Sequence, residues 1–204
     1  ASPMPTEKEL EEFYKNVYFQ EDSQNYEQQY TEEEYKYFLN ESKVTEYIYN
    51  NITQQNKNNN SLLDIGCGEG YFAKYFYNNN WKVNLVDYSS YGIITHNNEL
   101  VNNFKEGCIY KNLDSERIEK KEYNLISIKN VLEHVVDPEL LLAKVKKLMT
   151  KNSLLRIEVP NDYSSFQELL LENNNTTNTW FKPPEHLHYF TFESLSGFLD
   201  KLGF

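Results

Sequence analysis

Hydrophobic and polar positions change their period near residue 60. Before it, apolar residues recur at helical spacing. "TEKELEEFY" reads as a short helix with Thr6 at its N-cap. "YTEEEYKYFLNESKVTEYIYNNI" reads as a longer one, in which Thr31 and Glu34 have capping-box spacing and Phe38, Val44, Ile48 and Ile52 supply an apolar stripe. A polar loop, "TQQNKNNN", follows. Beyond it, short apolar runs bounded by Asn, Asp and Gly alternate with helical segments. Leu62–Ile65, Trp81–Val86, Cys108–Asn112, Tyr123–Asn130 and Ser153–Val159 read as strands. Tyr71–Asn78 reads as a helix, and Ser89 to about His96 as the start of another. Asp137 caps a helix with Pro138 at its first position and Leu141, Leu142, Val145 and Leu148 on one face. A polar, Asn-rich stretch after Val159 carries no element, and Thr191 with Glu193 opens a last helix.

Strands alternating with helices predict an α/β fold: a Rossmann-like, doubly wound, mostly parallel sheet. Residues 1–54 form an N-terminal helical arm or lid, and residues 55–204 the domain that carries the sheet.

Composition narrows the function. The 204 residues suffice for one core and argue against two. A formal charge of −11 repels phosphate backbones, which argues against nucleic acid as a partner and favours a small molecule or a basic protein. Two cysteines, Cys67 and Cys108, exclude a disulfide scaffold, and no CxxC pattern exists. No apolar run approaches the ~18 residues of a membrane span, so no membrane is expected and the location is read as cytoplasmic. Tyr is dense in the acidic arm, where the rings pack on the core or line a cleft.

The chemistry concentrates in "SLLDIGCGEGYFAKYF". A strand, a turn with Gly66, Gly68 and Gly70, and a helix make a nucleotide-type site, in which bare backbone admits a ligand. A dinucleotide site wants GxGxxG, and here the third glycine comes one position early. Asp64, beside the turn, would repel a pyrophosphate but attract an ammonium group. Asp87 ends the next strand, about 20 residues on, where a carboxylate takes ribose hydroxyls. A phosphate-free, cationic nucleoside fits both acids, which points to S-adenosyl-L-methionine, with S-adenosyl-L-homocysteine as product. Cys67 fills the turn rather than acting as a nucleophile.

"LLDIGCGEGYFA" with "VNLVDYS" resembles the first two motifs of class I S-adenosylmethionine-dependent methyltransferases. "YNLISIKNVLEHVVDPELLLAKV" is similar to that family's fourth strand and following helix, and "SLLRIEVPND" to its fifth strand. "PPEHLHYFTFESLSGFLDKLGF" resembles the segment before the last helix in methyltransferases of bacterial surface-polysaccharide and nucleotide-sugar pathways. The resemblance runs from about Ser61 to Phe204. It implies that Gly66, Cys67, Gly68 and Gly70 line the methionine moiety, that Asp64 holds its amino group, and that Asp87 holds the ribose. Tyr88, Leu113 and Asp114 would meet the adenine, and Asn130 the methionine end. The family's sheet has two further strands after "LGF", so the resemblance implies a C-terminally truncated fold with an exposed or partner-covered edge.

The reaction implied is O-methylation of a small polar metabolite, such as a nucleotide-linked sugar or capsule precursor. A sugar hydroxyl needs a base. His186 and His188 in "EHLHYF" are candidates to contact the acceptor or accept its proton, with His134 a third. If that segment is extended, His186 and His188 face one side. No metal site is expected, because the pair lacks a third ligand at convincing spacing. His96 reads as a surface helix residue. Tyr18, Tyr26 and Tyr30, ranked above Tyr14, would close over the site with Lys182. A non-catalytic cofactor-binding subunit and a protein methyltransferase are the alternative readings.

Overall fold

The computed structural model describes residues 4–14, 30–53, 60–173 and 185–204. Its elements are α1 (Glu7–Phe13), α2 (Glu32–Thr53), β1 (Ser61–Ile65), α3 (Tyr71–Asn78), β2 (Lys82–Asp87), α4 (Tyr91–His96), a 3-10 segment (Asn98–Asn103), β3 (Phe104–Glu106), α5 (Ile109–Ile118), β4 (Tyr123–Lys129), α6 (Pro138–Lys146), β5 (Met149–Glu158), α7 (Ser165–Asn173) and α8 (Phe192–Leu202). The five strands pair in parallel in the order β3-β2-β1-β4-β5. The chain therefore winds outward from β1 in one direction, then crosses back to build β4 and β5 on the other side. The reversal between β1 and β4 opens a crevice at the carboxyl ends of those strands.

Side chains alternate across each strand, and the alternation divides the core in two. Leu63, Ile65, Val86, Ile126 and Ile128 face one layer with Leu113, Leu141, Leu142 and Val145. Leu62, Val83, Leu85 and Leu125 face the other with Tyr49, Ala73, Phe76 and Ile93. Parity puts Asp64, Asp87, Ser127 and Lys129 on this second face, beyond its apolar floor.

The predicted caps form. Thr6 Oγ1 accepts the Glu9 N–H while Glu9 accepts the Thr6 N–H. Thr31 and Glu34 do the same at α2. Asp137 caps α6 through the Leu140 N–H at 2.8 Å, with Pro138 in the first turn.

Four expectations are corrected. The apolar stripe of α2 does not face the core: Val44, Ile48 and Ile52 are exposed, and Ser42, Thr45 and Tyr49 are buried. Small hydroxyl residues allow close approach, and they satisfy themselves on their own helix, Ser42 to the Phe38 carbonyl and Thr45 to that of Glu41. Tyr49 alone then reaches the second layer, edge-on to Trp81 at 5.0 Å. Next, Cys108–Asn112 is not a strand. The third strand is Phe104–Glu106, Gly107 turns the chain at φ 107°, and α5 begins at Ile109. Ile109 and Leu113 fall one helical turn apart and are both buried. The Asn-rich stretch contains α7, which opens on reciprocal bonds between Ser164 and Gln167. Finally, the His96 side chain is buried rather than on the surface.

Among the described residues, no helix is long and apolar enough to cross a membrane.

Candidate functional site

The β1–α3 turn is built by three glycines with positive φ: Gly66 at 69°, Gly68 at 54° and Gly70 at 79°. The Gly66 and Cys67 N–H groups donate to the Val86 carbonyl at 2.8 and 3.3 Å, and Gly70 N–H donates to the Cys67 carbonyl at 2.9 Å. Space matters as much as φ. A Cβ on Gly66 would collide with Val131 Cγ2, and one on Gly70 would lie 2.5 Å from Ile93 Cδ1. Gly92 of α4 lies against the same turn, where a Cβ would come 2.8 Å from the Gly68 carbonyl oxygen.

Above the turn lies a cavity of about 270 Å³. Its walls bring together groups that are far apart in sequence, among them Asp64, Asp87, Tyr88, Asn130, His134 and Arg156. Asp64 and Asp87 are only 4% and 6% exposed. Asp87 Oδ2 accepts the Gly68 N–H at 2.9 Å, and Oδ1 accepts the Ser89 N–H at 3.4 Å. Burial nevertheless pushes the Asp87 carboxyl up to about 6, those backbone donors opposing. Burial pushes Asp64 up to about 7, against the Arg156 charge and the Ser127 hydroxyl.

Asp64, Ser127 and Arg156 are register partners on β1, β4 and β5, so one polar row crosses the sheet. Arg156 Nη1 donates to Ser127 Oγ at 3.1 Å. From α2, Glu41 reaches down to Arg156 and to Lys129 Nζ, the latter at 2.7 Å. The cavity thus combines buried acids at the turn with two cations opposite, which suits a ligand carrying both charges. The Cys67 thiol is held well above its ordinary value by burial and by Asp87 and Asp64, so it is no nucleophile.

Other residues come to the site from the arm and from the ends of strands. Tyr14 stacks on Tyr88 with ring centroids 5.6 Å apart and planes 8° from parallel, and Tyr88 Oη donates to Glu7 at 3.1 Å. Tyr14, ranked below the other arm tyrosines from sequence, lines the cavity, and among the described arm tyrosines it alone does so. Tyr30 lies to one side: its hydroxyl donates to Glu69, and its ring meets Tyr71 and His96. Asn130 sits at the end of β4 with φ 51° and donates its N–H to the Glu158 carbonyl at 2.8 Å. Tyr18, Tyr26 and Lys182 lie outside the described residues, as do Trp180 and Phe181.

Leu113 and Asp114 do not meet the cavity. The strand expected before them is helical, which buries Leu113 in the core and places Asp114 on the outside of α5 against Lys144 Nζ at 2.5 Å. Ile109 takes the place beside Tyr88. Gly70 caps α3 and packs against Ile93 rather than lining the cavity.

The histidines also separate. His134 lines the cavity, with Nδ1 2.8 Å from the Glu185 carbonyl. His188 is anchored through Nε2 to the Val135 carbonyl at 3.0 Å, and His186 packs edge-on against His134 at 4.7 Å. Neither lines this cavity. Glu133, beside His134, is 1% exposed, and burial with the Asp162 and Glu158 charges pushes it up to about 7.

Sequence reasoning missed Ser127, Lys129, Arg156 and Glu69. A signal existed for the first three: polar residues stand at alternate positions in the otherwise apolar strands "LISIK" and "LLRIE". Glu69 had none, because its place depends on Asn97 Nδ2 donating to the Glu69 carbonyl at 2.6 Å.

Comparison with known proteins bears on this arrangement. No curated protein matches. Among solved structures, an S-adenosylmethionine-dependent methyltransferase from Archaeoglobus fulgidus is 23% identical, with a TM-score of 0.58 over 80% of this chain and 69% of that one. The plantazolicin methyltransferase BpumL, in complex with S-adenosylhomocysteine, is 22% identical, with a TM-score of 0.64 over 95% of this chain and 73% of that one. The same enzyme with a monoazolic desmethylplantazolicin analogue gives 22% and 0.65, over 96% and 76%. These likenesses establish the fold. A family model described as a methyltransferase domain matches residues 26–204, which takes in the glycine turn, both buried acids and the polar row, and the chain belongs to that family.

Proposed function

We propose that this chain is an S-adenosyl-L-methionine-dependent methyltransferase, with S-adenosyl-L-homocysteine as its product. The observation that carries this reading is the pairing of Asp64 and Asp87, both buried, on either side of a glycine turn with no room for side chains. When bound, the donor supplies a methyl group on a sulfonium, already activated for in-line displacement.

The chain's residues then have separable tasks. Gly66, Cys67 and Gly68 offer backbone for the methionine moiety. Asp64 accepts from its ammonium, and the Arg156–Lys129 side of the cavity suits its carboxylate. Asp87 keeps lone pairs for the ribose hydroxyls after serving Gly68 and Ser89. Tyr88, Tyr14 and Ile109 form a flat apolar wall for the adenine, and Asn130 marks the methionine end. Alignment and exclusion of water account for most of what such a transfer requires. His134 is the histidine an acceptor would meet at the cavity wall.

The acceptor is a small polar metabolite methylated on oxygen, and a nucleotide-linked sugar or polysaccharide precursor is our preferred class. It rests on the resemblance of the EHLHYF segment. Residues 1–54 serve as an arm over the site, Tyr18 and Tyr26 from it and Lys182 from the later loop are assigned to the acceptor, and the protein works in the cytoplasm.

The test is calorimetric titration with S-adenosylhomocysteine and with a nicotinamide dinucleotide, followed by transfer of labelled methyl to nucleotide sugars. Binding of the first and not the second is expected. Preference for the dinucleotide would overturn the cofactor reading, and cofactor binding with no transfer to any sugar would overturn the acceptor class.

A further inference from the structure

Behind the cavity wall, Glu133, His134 and His186 meet. One carboxylate oxygen and one nitrogen from each imidazole lie within 4.8 Å of one another. Glu133 Oε1 is 3.7 Å from His134 Nε2. The Glu185 carbonyl beside His134 Nδ1 can only accept, so Nδ1 carries a proton, and in the neutral imidazole Nε2 is the nitrogen with the lone pair. A metal-binding histidine is commonly oriented by such a backbone acceptor. The loop bearing His186 is tied down independently, because the Leu187 and His188 N–H groups both donate to the Glu133 carbonyl, at 2.8 and 3.0 Å.

A second observation points to a cation. Glu133 Oε2, on a side chain 1% exposed, finds no hydrogen-bond partner among the described residues. Asp162, also 1% exposed, accepts the Phe190 N–H through Oδ2 at 3.2 Å, and its Oδ1 finds none. Two buried carboxylates with unserved oxygens lie beside two imidazoles, and among the described residues no lysine or arginine forms an ion pair with either carboxylate. Buried polar oxygens are ordinarily satisfied, so these two call for a bound group, and two adjoining imidazoles make a cation the one that uses every donor present.

We infer that Glu133, His134 and His186 bind one divalent transition-metal ion of zinc type, with Asp162 alongside as a supporting carboxylate. Two imidazoles and a carboxylate are a ligand set for zinc that leaves a position open. Ligands of one such ion stand up to ~4 Å apart, so small side-chain rotations close the site. Because His134 also lines the cavity, an acceptor hydroxyl is the chemistry that would complete the coordination. That last role rests on the methyltransferase reading, whereas ion binding does not.

Zinc is titrated by calorimetry into the chelator-treated full chain, with neither donor nor acceptor present, and cobalt is substituted in parallel for its visible spectrum. One equivalent of zinc is expected, together with the strong cobalt absorption of a four- or five-coordinate ion. Glu133→Gln and His186→Ala should each weaken zinc binding by about 10–100-fold. His188→Gln, outside the set, should leave it within about twofold, a change small against the effect of losing a ligand. S-adenosylhomocysteine binding checks that each variant is folded, and where one is not, the wild-type cobalt spectrum decides. No stoichiometric zinc, a six-coordinate cobalt spectrum, or affinity indifferent to both substitutions would overturn the site. Failure of the cofactor reading would appear separately, as absent S-adenosylhomocysteine binding with the zinc titration intact.

Discussion

Asp87 Oδ2 accepts the backbone N–H of Gly68 at 2.9 Å, so the end of β2 holds the turn that follows β1. One carboxylate thus shapes the turn and faces the proposed ribose site. Asp87→Asn keeps an oxygen for Gly68 but loses the charge. S-adenosylhomocysteine affinity should fall about 10–100-fold, or ~1–3 kcal/mol, by calorimetry. An unchanged dissociation constant would remove Asp87 from the site.

The raised carboxyl of Asp64 makes stability depend on pH with a definite sign. Burial lifts it from 3.8 to about 7 in the fold. A carboxyl so raised favours the folded state below pH ~4, where it is protonated in both states, and that contribution is lost as pH rises towards 7. Asp64→Asn has no such charge to bury. Without cofactor it should be the more stable protein at pH 8, the difference shrinking towards pH 4, measured as urea midpoints. Cofactor binding should show the reverse preference. A cationic ligand favours the ionised acids, so wild-type affinity should rise from pH 5 to 8 with release of protons, detectable in buffers of different ionisation enthalpy, and Asp64→Asn should flatten the rise.

Gly70 tests packing apart from ligand binding. Its φ of 79° and the 2.5 Å approach to Ile93 Cδ1 both oppose a side chain. Gly70→Ala should cost about 2–4 kcal/mol, combining left-handed strain with overpacking. Ile93→Val removes the obstructing methyl. In the double variant part of the loss should return, and the coupling measured by denaturation should be favourable. Simple additivity would mean that the helix moves away instead.

Tyr14 lies almost parallel to Tyr88 and lines the cavity. Tyr14→Ala should weaken S-adenosylhomocysteine binding by about 1 kcal/mol through loss of the aromatic wall, and Tyr14→Phe should retain it. A large effect of the Phe variant would assign the hydroxyl a role instead.

The parallel sheet and the glycine turn were legible in the sequence because each depends on local pattern. "LLDIGCGEG" needs only neighbours to form a strand and turn, and Asp137–Pro138 needs only its own helix. The parts that failed depend on distant surfaces. Val44, Ile48 and Ile52 have the spacing of a buried face, yet Ser42 and Thr45 take that place because they fit closely. Cys108–Ile109–Tyr110 has strand-like composition, but Gly107 and the next turn of apolar residues make it a helix. In the site, both acids could be found from spacing alone. Arg156 could be placed opposite Asp64 only once β5 was known to pair with β4, which no local rule supplies. His134 and His186 are 52 positions apart in the numbering, and only the fold brings them to one corner.

Gly92 rests against the carbonyl of Gly68, leaving no gap that a methyl group could occupy. With that contact behind it and Val131 crowding Gly66, the loop beneath the cavity is already in its final shape when a small molecule arrives. The entropy of fixing this bare backbone belongs to folding, so association needs to immobilise little more than the guest. Enlarging Gly92 would therefore transfer that cost to the binding step, in a protein whose visible contacts with its cofactor had not changed.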